Sequence, residues 1–147
     1  MNKTAHLIFI LMLGALAACA SKEQTDLRTA LVARMAQDSD LKDYNLDPEE
    51  IADCIVHDLS EDLPGFPGDP KRQEYLKAYT QFVSASGAGD ASAAIEQHKE
   101  LFGSAKEAMS AALKLTDYTM SCMGRAIEGK DPHRMVDESP AAANGAK

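Results

Sequence analysis

The chain predicts an all-α fold, a single antiparallel helical bundle of about four helices with a long C-terminal helix and a disordered tail. Three observations lead there. No stretch alternates β-branched and polar residues in the way a half-buried strand requires. Aromatic residues make up only 5% of the 147 residues, whereas alanine, the strongest helix former, recurs along the whole chain. Finally, two of the three Asp-Pro pairs, Asp47-Pro48 and Asp69-Pro70, stand directly ahead of apolar residues at helical spacing. An aspartate can cap a helix there, and a proline loses nothing at the first helical position.

The elements follow in order. Residues 21–25 read as a short polar tether, and a first helix is expected over Asp26 to Gln37, with Leu27, Ala30, Leu31 and Met35 on one stripe. Asp38 to Asn45 reads as a polar connection. The second helix starts at Asp47-Pro48-Glu49-Glu50, where Glu50 can close a capping box. Its stripe is Ile51, Cys54, Ile55 and Leu59, and it stops before the turn-rich Leu63-Pro64-Gly65-Phe66-Pro67-Gly68. Asp69-Pro70 opens the third helix, whose apolar face is Tyr75, Leu76, Tyr79, Phe82 and Val83, and Ser86 to Gly89 ends it. A long fourth helix is expected from Asp90 to about Glu128, with Gly103 as a place to bend or break. Positions 95, 102, 109, 116 and 123 give a large seam, and 98, 105, 112, 119 and 126 a small one. The tail, 131–147, has little to bury and is expected to be disordered.

Cys54 and Cys122 both lie on apolar helical stretches. In an oxidising compartment such a pair suggests a disulfide, worth about 4 kcal/mol in the loop-entropy model. The alternative is two buried thiols acting as small hydrophobes.

The N-terminus carries an address. Lys3 is followed by an apolar run of about a dozen residues, well under the ~20 that span a bilayer, and then by Leu16-Ala17-Ala18-Cys19. These four residues resemble the lipobox of bacterial lipoproteins, in which small residues precede an acylated cysteine. The resemblance implies a signal peptide over residues 1–18 and lipidation of Cys19, and the residue pattern then gives a tether over 19–25 and a helical domain over 26–130. It also implies a membrane anchor, palmitate among the attached chains and a location in the cell envelope. Ala20 and Ser21, in place of an aspartate after the cysteine, imply the outer membrane facing the periplasm.

Net charge is −8 with 23 acidic residues, which disfavours nucleic acid as a partner because phosphates need cations. The chemistry-bearing patterns are sparse. Asp53, His57 and Glu61 share one helical face and could hold a metal, but a solvated charge stripe is the expected reading. Met120, Cys122 and Met123, with Met109, could suit Cu(I), but core packing is expected instead. No glutamate has a histidine three residues on, so a di-iron bundle site is excluded. Ser39-Asp40-Leu41-Lys42 matches Ser-x-x-Lys without the accompanying elements of penicillin-recognising enzymes. His98 is expected as a packed or hydrogen-bonded histidine.

No catalytic residue, resident metal or cofactor is therefore expected, and the chain reads as a non-enzyme. The loop from Ser60 to Asp69 is the expected partner-binding segment, with apolar Leu63 and Phe66 rimmed by Glu61, Asp62 and Asp69. Both apolar residues could instead tuck under the neighbouring helices. The function expected is a lipid-anchored binding or accessory protein for another envelope component. The alternative is an acidic inhibitor or immunity-type protein that blocks a basic enzyme or toxin.

Overall fold

The computed structural model describes residues 20–130, and every regular element among them is helical. The leader, Cys19 and the tail from residue 131 lie outside the described residues. Among the described residues six helices follow one another, where about four were expected: α1 (Lys22–Met35), α2 (Ser39–Asp43), α3 (Pro48–Asp62), α4 (Pro70–Ser84), α5 (Ala88–Phe102) and α6 (Ala105–Lys130).

Three differences from the sequence reading have local causes. The segment expected as a tether is the first turn of α1, because Ser21 and Gln24 close a capping box. Gln24 N donates to Ser21 Oγ at 3.2 Å, and Ser21 N donates to Gln24 Oε1 at 3.0 Å. The polar connection after α1 contains α2, capped by Asp38, which accepts from Asp40 N at 2.8 Å. This turn lets Leu41 and Leu46 drop into the core. The expected long fourth helix breaks into α5 and α6 at Gly103, whose φ of 94° is left-handed. Ser104 Oγ then accepts from Glu107 N at 3.1 Å and starts α6 afresh.

The apolar stripes read from the sequence supply most of the core. Leu27, Leu31 and Met35 of α1, Ile51, Ile55 and Leu59 of α3, and Leu76, Tyr79, Phe82 and Val83 of α4 are all buried. α1 packs on both α3 and α4, α5 packs on α4 and α6, and α6 closes against α3. Side-chain pairs give the directions. Arg28 with Asp53 and Gln24 with Ser60 set α1 antiparallel to α3. Glu23 with Lys77 and Arg34 with Val83 set α1 and α4 running the same way. Tyr75 against Phe102 and Phe82 against His98 make α4 and α5 antiparallel.

Three helix ends are completed by side chains from another helix. The last turns of α3 and α4 contain no basic residue, although their unpaired carbonyls favour a cation there. Arg72 supplies it to α3, donating to the carbonyls of Ser60, Leu63 (3.0 Å) and Gly65 (3.0 Å). Arg34 supplies it to α4, donating to Val83 O at 3.1 Å. Tyr75 donates to Leu101 O at 3.0 Å near the end of α5. Replacing Arg72 by Met leaves three carbonyls without their donor. The expected loss is about 2 kcal/mol in urea unfolding, against little change for the exposed neighbour Lys71→Met.

Candidate functional site

The loop between α3 and α4 does not present the patch expected of it as a whole. Leu63 is buried, with 7% of its surface exposed, whereas Phe66 is 69% exposed. The reason is the backbone. Leu63 is the C-cap of α3, its N–H bonded to Leu59 O, and its side chain continues the Ile55–Leu59 face into the core. The chain then turns at Gly65 (φ 87°), where a Cβ would meet Asp69 Oδ2 at 2.7 Å. Leu63 is therefore withdrawn from the docking set, and Phe66 is its sole exposed large apolar member.

The acids of the loop differ among themselves. Asp69 is half-buried and caps α4, accepting from Lys71 N at 2.8 Å. Asp62 accepts from the Tyr118 hydroxyl of α6. Desolvation first, and that carboxylate second, hold the Tyr118 phenol well above its ordinary range. Glu61 is exposed.

Cys54 of α3 and Cys122 of α6 stand as a disulfide pair, with sulfurs 2.11 Å apart, Cα atoms 5.9 Å apart and a sequence separation of 68. Helical spacing explains their surroundings. Asp58 lies one turn after Cys54 and Arg125 one turn after Cys122, so joining the cysteines brings the two charges together. Arg125 Nη2 reaches Asp58 Oδ2 and lies 3.2 Å from Cys122 Sγ. Among the described residues, Cys54, Asp58 and Cys122 are the one group of possible metal ligands within 4.8 Å of one another. With the sulfurs joined to each other, neither offers a thiolate.

The other expected clusters are not assembled. Asp53, His57 and Glu61 do not come within ligand distance; Asp53 is taken by Arg28, which also donates to Glu49 at 3.1 Å. Ser39 and Lys42 are both exposed on α2. His98 is half-buried, its Nε2 is 2.8 Å from Gln81 Oε1, and its ring meets the edge of Phe82. Partial burial lowers its pKa from the ordinary value. The Tyr79 hydroxyl, deeper in the core, is pushed up to about 12 by burial.

The methionines are where the sequence reading departs furthest from the structure. Met109 and Met120, expected to fill the core, are 45% and 69% exposed, and Leu113 between them is 62% exposed. The break at Gly103 is the cause, since it ends the register assumed for one continuous helix. α6 buries another face, Ala108, Ala111 and Cys122. Met109, Leu113 and Met120 are exposed at spacings of four and seven residues, while Met123 and Ile127 are half-buried against the core. The exposed three keep the a/d spacing of a coiled coil. The signal was present as Leu113 and Met120, seven residues apart. Reading Met109 as core-facing hid it, whereas Met123 does pack against the core.

An apolar cleft between α1, α4 and α6, lined by Leu31, Met35, Phe82 and Leu115, holds about 170 Å³, less than the ~300 Å³ usual for a small-molecule site. No helix among the described residues is long and apolar enough to cross a membrane. Comparison with protein-family models, with curated proteins and with solved structures finds no match to this chain.

Two outcomes are expected. Cys54→Ser/Cys122→Ser should lose about 4 kcal/mol against the oxidised protein, and reductant should then have no further effect on its urea midpoint. His98, neutral more readily folded than unfolded, makes folding costlier as pH falls below its ordinary value of 6.5. The urea midpoint should therefore drop less between pH 7.5 and pH 5 in His98→Gln than in the parent.

Proposed function

We propose that this protein is a lipoprotein anchored through acylated Cys19, facing the periplasm from the outer membrane, and that it binds another envelope component without catalysing a reaction. The observation that supports the binding role is the outer face of α6. Met109, Leu113 and Met120, apolar and set four and seven residues apart, fit the apolar stripe of a second helix. All three expose about half or more of their surface, which costs solubility unless a partner covers them. The partner chemistry that suits this face is an amphipathic helix of another protein. The acidic balance supports a second reading, the inhibitor or immunity-type protein, whose contact would run through Glu61 and Asp62 and weaken with salt.

A photo-crosslinking residue at position 113 or 120 of the full-length chain in cells should give one discrete adduct with another protein. The same residue at exposed Glu107 should give none. Leu113→Glu should weaken capture by about tenfold or more, because a charge would enter the contact. Adducts formed equally from all three positions, or only with a second copy of the chain, would refute the reading. Palmitate labelling that persists in Cys19→Ser would remove the anchor.

A further inference from the structure

Ala20, the first described residue, is exposed and lines one groove with Pro67 and Arg72. Ser21 and Gln24 line the neighbouring groove with Pro67 and Gly68. The chain therefore enters α1 beside the loop that carries exposed Phe66. Residue 19 is one peptide unit away from Ala20, about 3.8 Å between Cα atoms. No slack separates the two, because α1 begins at Lys22 and its Gln24 is already bonded to Ser60 Oγ at 3.1 Å.

We propose that Phe66 rests in the interfacial layer of the bilayer to which Cys19 is attached, so that lipid rather than a protein covers this residue. The inference rests on the acylated-Cys19 reading and adds an orientation to it. An acyl chain at residue 19 brings the α3–α4 loop against the headgroups, since the intervening chain is too short to hold it away. The loop is also built to stay where it is. Arg72 binds the carbonyls of Leu63 and Gly65, and Asp69 caps α4, so Phe66 is presented without further ordering. Phenylalanine is among the apolar residues that bury at the boundary of headgroups and acyl chains when a protein surface lies on a membrane. Lys71 and Arg72 stand among Glu61, Asp62 and Asp69, so this end has no strong charge of one sign and suits a zwitterionic surface. The face of α6 then remains for the partner.

The chain contains no tryptophan, so Phe66→Trp in the full-length lipidated protein is a single-site probe. In phosphatidylcholine vesicles with brominated acyl chains, the introduced indole should emit at shorter wavelength than in detergent-free buffer and lose most of its intensity. Met120→Trp in the same vesicles should keep its intensity. If the Phe66→Trp protein floats with the vesicles while its fluorescence stays unquenched, this inference is overturned and the anchor stands. A blue shift without quenching would overturn it too, by assigning Phe66 to a protein contact. Failure to float with the vesicles would remove the anchor and this inference with it.

Discussion

Arg72 holds one end of the molecule together. Its guanidinium fills the carbonyls left open where α3 stops. Ser60, whose carbonyl is among them, also accepts from Gln24 at the start of α1. One side chain thus fixes the end of α3, the turn through Gly65 and the start of α4. The capping box of α1 is fastened to the same point. A cation supplied from a neighbouring helix does what a basic residue in the last turn of α3 would otherwise do, and it joins elements that burial alone would leave free to slide.

The opposite region of α3 is held by different means. The Cys54–Cys122 pair ties it to α6, and Arg28 ties it to α1 through Asp53 and Glu49. Exposed ion pairs of this kind contribute little singly, so the covalent link dominates. Its reach across 68 residues of sequence is what fixes α6 in place. Apolar burial supplies the driving force between the two regions, through Leu27, Ile55, Leu59 and Leu76.

Much of this was legible from residues alone. Asp47-Pro48 and Asp69-Pro70 marked helix starts because capping and proline geometry are local. The stripes of α1, α3 and α4 marked the core because burial follows helical period. What escaped were features set by distant partners. Nothing local to Arg72 says that it reaches back to α3, and Leu63 looks like any apolar loop residue until the end of α3 is known. The face of α6 escaped for a related reason: its heptad is plain in sequence, but which side meets the core depends on the break at Gly103. Of the expected contact residues, Phe66 and Glu61 are exposed and Leu63 is buried. Address and partner stand on the lipobox and on physical argument.

The break itself has a consequence for how the molecule assembles. Only Gly103 and Ser104 separate α5 from α6, and a connection so short can straighten into one rod of roughly 65 Å. An opened α6 could then lie across α3 of a second molecule, the exchange of identical segments that short hinges invite. Oxidation within one chain forecloses that exchange by locking α6 to its own α3.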